Sequence, residues 1–243
     1  MQKTALVLFV LLAPAGSAVA QGDLFAAAAL ASTPIGALTP LMSPSMVGRT
    51  LDGAQLGLRY GHRGDGSIHT HSIAGSVIFS AGLKSSLSLT AGVRDATCTG
   101  CSPRLMLGAG GDMRLYEGGD IAGSGSGLAV SLSGDLGYGR AFGDDDAYSL
   151  GIGAPVTLSL AGSGRDAMHI VPFFSPVVGI GQTSCPTGLS NCERSGVRMV
   201  LGGGVGLWNP MTSVSASLGV NQVVREGENP VFGINVVFGG RRR

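Results

Sequence analysis

The side chains best suited to chemistry lie close together in the segment HRGDGSIHTH, residues 62–71. His69 and His71 are two positions apart, so they share one face of an extended chain and could chelate a metal ion. Ser67 lies near histidine and aspartate, a combination that suits a hydrolase. The spacing supplies no third group for either site, and the sequence has no G-x-S-x-G, G-x-G-x-x-G or Gly-Lys motif. We therefore predict no enzymatic activity, no cofactor and no metal, with His69 and His71 as weak metal candidates.

Cysteines offer a second possible chemistry. They stand at Cys98, Cys101, Cys185 and Cys192. The four could form a redox pair or a zinc site, but cysteines of an exported protein usually pair as structural disulfides. We expect the local pairings Cys98–Cys101 and Cys185–Cys192, with crosswise connections as the alternative.

Export is indicated by the start of the chain. Residues 1–20, MQKTALVLFVLLAPAGSAVA, combine Lys3, a short apolar run and a final Ala-Val-Ala, which is the pattern of a cleavable secretory signal peptide. The apolar run is much shorter than the roughly 20 residues that a membrane-spanning helix needs. We predict cleavage after Ala20, which leaves Gln21 first.

The composition is unusual for a soluble domain. Charged residues make up 13% of the chain, against about 25% in ordinary soluble domains. The formal net charge is +1, and removal of Lys3 brings it to zero, so nothing favours nucleic-acid binding. No later apolar stretch approaches the length of a spanning helix. Residence in a membrane would therefore have to rest on strands.

Apolar residues alternate with small or polar ones along most of the chain, which is typical of β-strands. We predict about ten strands, with eight or twelve as alternatives, at residues 53–62, 71–82, 85–94, 104–115, 127–138, 147–160, 168–181, 196–208, 212–224 and 231–238. An even number of antiparallel strands is typical of a closed transmembrane barrel. We therefore predict an all-β fold with an antiparallel up-and-down transmembrane β-barrel. The barrel would span 53–238, preceded by an Ala- and Pro-containing segment, 21–52, and followed by a basic tail, 239–243. Within the N-terminal segment, residues 23–46 would either plug the lumen or lie in the periplasm.

The two faces of these strands favour lipid over water. The face opposite the apolar one consists mainly of Ser, Gly and Thr, which would be a poor solvent surface for a soluble protein. The same face would suit the wall of a narrow lumen, because side chains inside a small barrel must be small. A narrow lumen also explains the 42 glycines of the chain. A soluble exported β-protein is the alternative.

The last strand resembles the C-terminal signature of bacterial outer-membrane β-barrels. In GINVVF, residues 233–238, a glycine is followed by hydrophobic residues at alternating positions and a final phenylalanine, so Gly233, Val236 and Phe238 are the signature residues. The resemblance implies an outer-membrane location, contact with outer-membrane lipid and recognition of this strand by the barrel-assembly machinery. In such a barrel, Trp208 and Phe238 should lie in an aromatic girdle at the periplasmic rim, and Tyr60 and Tyr138 near the outer rim.

Charged residues on the polar parity of the strands predict the character of the lumen. They are Arg59, Arg94, Arg104, Arg114, Arg198, Asp112 and Asp135. In one interpretation, the arginines pair with these aspartates and with Gln55, Asn221 and Asn235, and so brace a closed barrel. In the other, they line a narrow pore that favours anions.

We therefore predict a small outer-membrane barrel with a structural role or a modest, anion-leaning passage of small solutes. The alternatives are a surface-recognition or adhesion barrel that acts through its disulfide-clipped outer loops, and a soluble exported β-protein.

Overall fold

The computed structural model describes residues 24–42, 51–65, 68–82, 84–98, 101–119, 126–140, 145–162, 168–184, 194–209, 214–225 and 228–242. The predicted signal peptide and the residues Cys185 and Cys192 lie outside these ranges. Within them, no helix is both long and apolar enough to cross a membrane.

The described residues form two short helices followed by strands only. The helices are α1 (Leu24–Ser32) and α2 (Pro34–Ala37). The strands are β1 (Leu51–Asp65), β2 (Ile68–Ser80), β3 (Ser85–Ala96), β4 (Arg104–Gly119), β5 (Gly127–Arg140), β6 (Asp146–Gly153), β7 (Val156–Ala161), β8 (His169–Thr183), β9 (Arg194–Asn209), β10 (Val214–Val223) and β11 (Val231–Arg242).

These strands close into a single antiparallel barrel. Strands that follow one another in the chain pair side by side, and β1 pairs with β11 to complete the ring, for example through Leu58 opposite Val236. β6 and β7 both lie between β5 and β8, so they are two halves of one barrel strand. The break falls at Ala154 and Pro155, because proline has no N–H to donate to a neighbouring strand. The predicted antiparallel barrel of about ten strands is therefore confirmed.

The distribution of side chains is inverted relative to a soluble protein. Each described strand exposes at least one large apolar side chain on the outside of the barrel: Leu56, Ile73, Leu87, Leu105, Leu136, Ile152, Leu158, Ile170, Val205, Leu218 and Phe232. The inside carries buried polar residues, as β3 illustrates with Ser86, Thr90 and Arg94. Successive side chains of a strand point to opposite sides, so the alternation of apolar and polar residues gives each strand an apolar outer face and a polar inner face.

Both helices lie inside the barrel. Ala26, Ala27, Ala29 and Leu30 of α1 have no exposed surface, and α1 contacts β5, β6, β8, β9 and β10. Because α1 is apolar on every side (LFAAAALAS), it suits complete burial. Of the two positions that the sequence left open for this part of the chain, residues 24–42 occupy the lumen; we call them the lumen segment.

The ends of the barrel region include a few more residues than the alternating pattern indicated. β1 begins at Leu51, and β11 continues through Gly239 to Arg242. Arg241 and Arg242 pair with Asp52 and Leu51, respectively.

Candidate functional site

The lumen segment runs from one mouth of the barrel to the other. The carbonyl group of Ala26 lies against Gly181, near the end of β8. Met42 packs against Val171 and Trp208, near the opposite end of the barrel. The lumen is therefore occupied along much of its length.

Arg94 holds the end of α1. Its Nη1 donates hydrogen bonds to the carbonyl oxygen of Ala31 at 2.8 Å and to Ser32 Oγ at 3.1 Å. The last carbonyl groups of a helix lack partners within the helix and carry the negative end of its dipole, so a guanidinium is well placed there. Ser32 Oγ in turn donates to the carbonyl oxygen of Ala28 at 2.6 Å.

The extended half of the lumen segment is held in the same way. Arg59 Nη2 donates to the carbonyl oxygen of Thr39 at 2.5 Å. Asn221 Nδ2 donates to the carbonyl oxygens of Ile35 at 2.7 Å and Leu38 at 2.9 Å. These bonds satisfy backbone groups that have no strand partner inside the barrel.

Side-chain hydroxyls add further contacts. Asn235 Nδ2 donates to Thr39 Oγ1 and to the carbonyl oxygen of Pro40, both at 3.0 Å. Ser149 Oγ donates to Thr33 Oγ1 at 2.7 Å. Contacts with β1, β3, β6, β10 and β11 thus surround the lumen segment.

Glycines on the inner wall make room for the backbone of the lumen segment. A Cβ atom at Gly61 would lie 2.5 Å from the carbonyl oxygen of Ala37. Cβ atoms at Gly139 and Gly181 would lie even closer to carbonyl oxygens of the segment. The abundance of glycine on the inner face therefore has a second cause besides barrel curvature, namely the close approach of this segment.

Apolar packing fixes the two ends of the lumen segment. Ala27 and Leu30 pack against Val200 and Val223. At the other end, Met42 packs against Trp208, which is only 4% exposed. The expectation that Trp208 belongs to a lipid-facing girdle was therefore wrong: its side chain takes the inward parity of β9 and closes the lumen.

A cavity of about 110 Å³ remains beside the lumen segment, near β3, β4 and β5. Arg59 and Asp135 both line it and attract each other electrostatically. Ser86, another lining residue, donates a hydrogen bond to Asp112 Oδ1 at 2.5 Å. The polar groups among its lining residues and its volume suit a few ordered water molecules, since one water occupies about 30 Å³ of liquid.

The other charged residues of the predicted lumen lie near the two mouths. Arg104 stands opposite Arg94 in the β3–β4 ladder. Arg198 Nη1 donates to the carbonyl oxygen of Val197 at 3.3 Å, and Arg114 forms an ion pair with Glu117 at 3.3 Å.

Gln55 and the two asparagines named in the bracing interpretation use different partners from those expected. Gln55 Nε2 donates to the carbonyl oxygen of Gly239 at 3.1 Å, whereas Asn221 and Asn235 bind the lumen segment. The hydrogen bonds described for Arg59 and Arg94 also go to the segment's carbonyl and hydroxyl groups. Such carbonyl acceptors are present in every residue and leave no signal in the sequence.

The mouth nearest α1 also holds a cavity, of about 190 Å³, bordered by Arg63, Arg94, Ser32 and Glu228. Glu228 pairs with Arg63 and, at 3.5 Å, with Arg225. These ion pairs tie the connection between β10 and β11 to β1.

The histidines of the predicted chemical segment meet at the same end of the barrel. The ring of His62 lies 4.8 Å from that of His71 and 5.6 Å from that of His69, between centroids. Tyr60 Oη and His71 Nδ1 are hydrogen bonded at 2.8 Å. Across the described ranges, no group of three or more His, Cys, Asp or Glu residues is arranged to hold a metal ion.

Cys98 and Cys101 form a disulfide in the connection between β3 and β4, which confirms the first of the two local pairings.

The signature residues of β11 are divided between its faces. Gly233 is buried against Thr39 of the lumen segment, whereas Phe238 is 36% exposed on the outer face. Val236 shares the outward parity of Phe238 and pairs with Leu58.

No protein-family model matches the chain, and no curated protein matches it in sequence. Several solved structures are similar. A bacterial polysaccharide outer membrane secretin has a TM-score of 0.45 and 14% identity, over 79% of this chain and 67% of that chain. The translocator domain of the autotransporter NalP from Neisseria meningitidis has a TM-score of 0.33 and 12% identity, over 76% and 86% of the two chains.

An outer membrane protein of Acinetobacter baumannii has a TM-score of 0.25 and 11% identity, over 76% of this chain and 97% of that chain. These TM-scores are all below 0.5, so the closed antiparallel barrel rests on the strand pairing of this chain and not on these likenesses.

Proposed function

We propose that the protein is a small barrel of the bacterial outer membrane whose lumen is closed by its own residues 24–42. The observation that carries this proposal is the inverted distribution of side chains. Leu58, Leu87 and Ile152 are more than half exposed on the outside, where water would disfavour them and lipid would not. Buried polar side chains, such as those of Arg59, Asn221 and Asn235, face the inside.

The resting role of such a barrel is structural. Hydrogen bonds from Arg59, Arg94, Asn221 and Asn235 hold the lumen segment in place, so the open cross-section is reduced to small cavities beside the segment. A modest passage of small solutes would require displacement of the segment. It would favour anions, because the inward arginines outnumber Asp112 and Asp135 on the polar face of the strands.

Surface recognition is a second candidate role, favoured by the disulfide between Cys98 and Cys101. A short covalent clip in an exposed connection reduces the entropy that the loop would lose on binding a partner.

We also propose that β11 is read by the barrel-assembly machinery, that outer-membrane lipid is the main partner and that the protein is not an enzyme.

Detergent extraction of outer membranes tests the location. The protein should fractionate with the outer membrane, resist extraction in high salt and migrate faster on a gel when unheated than when boiled. A protein that appears in the soluble periplasmic fraction and shows no heat-dependent shift would be the soluble exported β-protein instead.

A further inference from the structure

The lumen segment has a definite direction between the two mouths of the barrel. Leu24 begins α1, and the nearby Ala26 lies against Gly181, close to the end of β8 at Thr183. Thr183 is at the mouth that also carries the Cys98–Cys101 connection, because β3 ends there at Ala96. The start of α1 therefore lies at the mouth that carries the Cys98–Cys101 connection.

The other end of the lumen segment lies at the opposite mouth. Met42 packs beside Trp208, close to the end of β9 at Asn209. β1 starts at the same mouth, since Leu51 pairs with Arg242. The lumen segment thus begins at the mouth of the β3–β4 connection and ends at the mouth next to the C-terminal end of β11.

The lumen segment is chemically suited to cross a narrow barrel. Residues 24–42, LFAAAALASTPIGALTPLM, contain no charged side chain and many small ones, so no buried charge has to be compensated. Arg59 and Arg94 bind carbonyl oxygens, and a carbonyl is available at any position that passes them.

We infer that the barrel delivers its own amino-terminal end through the lumen and displays it on the cell surface. After cleavage at the predicted signal-peptide site, Gln21 would start the displayed end, and the C-terminal arginines would face the periplasm. The assignment of the two mouths to the two sides rests on the proposed outer-membrane function. The location of Ala26 and Arg242 at opposite mouths rests on the contacts alone.

Labelling of cysteines in intact cells tests the inference. In a background where all native cysteines are replaced by serine, single variants Gly22→Cys, Gly143→Cys and Arg243→Cys are treated with a membrane-impermeant maleimide before and after permeabilisation. Arg140, which ends β5, pairs with Asp146, which begins β6, at the mouth where α1 starts; Gly143, between them in the sequence, serves as the surface reference. A heat-dependent gel shift of each variant verifies that the barrel has formed.

We expect Gly22→Cys to react in intact cells as strongly as Gly143→Cys, and Arg243→Cys to react only after permeabilisation. Reaction of Gly143→Cys but not of Gly22→Cys in intact cells would overturn the inference and leave the outer-membrane proposal standing. Reaction of Arg243→Cys alone would reverse the orientation. Equal reaction of all three, with or without permeabilisation, would contradict the proposed function itself.

Discussion

At the scale of single residues, Arg94 is the side chain that most directly couples the barrel wall to the lumen segment. Replacement of Arg94 by alanine would leave the carbonyl oxygen of Ala31 without this donor in a buried site. We expect the free energy of unfolding in detergent to fall by about 1.5–3 kcal/mol, the range for hydrogen bonds to charged groups. The midpoint of the heat-dependent gel shift would measure this loss.

Arg140→Ala is the matched control. Arg140 also lies at the end of a strand at the same mouth, but its side chain is 52% exposed and its ion pair with Asp146 is 3.9 Å long. Exposed pairs contribute about 0–1 kcal/mol. Equal losses in the two variants would mean that Arg94 does not hold the lumen segment.

Glycines of β5 provide a second comparison within one strand. A methyl group at Gly139 would collide with the carbonyl of Ser32, whereas one at Gly134 would meet nothing within 4 Å. Gly139→Ala should therefore lower stability by about 1–3 kcal/mol, as overpacking does, and Gly134→Ala should be close to neutral. Thermal melting of the two purified variants checks this, and a neutral Gly139→Ala would argue against the described path of the lumen segment.

The remaining cysteines can be tested by peptide mapping. Cys185 and Cys192 lie outside the described residues, so their local pairing stays a prediction. A non-reduced digest should link Cys185 to Cys192 as well as Cys98 to Cys101. Peptides that join Cys98 or Cys101 to the second pair would establish the crosswise alternative, and free thiols would refute the second bridge.

At the scale of elements, β11 closes the barrel and carries the proposed assembly signal. Truncation after Val237 removes Phe238, which pairs with Leu56 of β1, together with the exposed aromatic group of the signature. We expect this variant to be degraded or to remain in the periplasm, as seen by fractionation and immunoblotting.

Removal of residues 239–243 alone is the control for this truncation. It deletes the pairing of Arg241 and Arg242 with Asp52 and Leu51 and the bond from Gln55 to Gly239, all at the end of the barrel. We expect assembly to persist with a small loss of stability. A heat-modifiable membrane protein from the first truncation would refute the role of Phe238.

The strands were predictable from sequence because alternation has a strict period and one of its faces is apolar almost throughout. Ser86, Thr90 and Arg94 in β3 show how closely the pattern follows the structure. The inward direction of Trp208 was not predictable from its residue type, since tryptophan is common at membrane interfaces. Its inward parity in β9 was the better guide.

The position of the lumen segment could be only partly predicted. From the sequence, residues 23–46 could either plug the lumen or lie in the periplasm, although a helix that is apolar on every side, such as LFAAAALAS, suits complete burial. The acceptors for Arg59 and Arg94 were beyond sequence reasoning, because they are main-chain carbonyls brought close by a separate part of the chain.

At the scale of the whole molecule, two physical requirements are met by one arrangement. The apolar exterior needs lipid, and a barrel of this size encloses a polar interior that is too wide to be filled by small wall residues alone. The lumen segment fills it with alanine, proline and leucine side chains while its carbonyl groups satisfy inward Arg and Asn donors. A barrel closed in this way is braced by hydrogen bonds from inward side chains to the lumen segment.

Conductance in planar lipid bilayers tests this account most directly. The protein would be compared with a variant that lacks residues 24–42 and with an Ala29→Cys/Ala147→Cys variant, in which a disulfide would lock α1 against β6, since the two alanines are in contact. Both comparisons use a background with the native cysteines replaced by serine.

We predict little or no current for the intact and locked proteins and a clear, anion-preferring conductance for the deletion variant. Arg94→Glu and Arg104→Glu in the deletion variant should reverse that preference. If the intact protein conducts as well as the deletion variant, residues 24–42 do not close the lumen, and the central claim is contradicted.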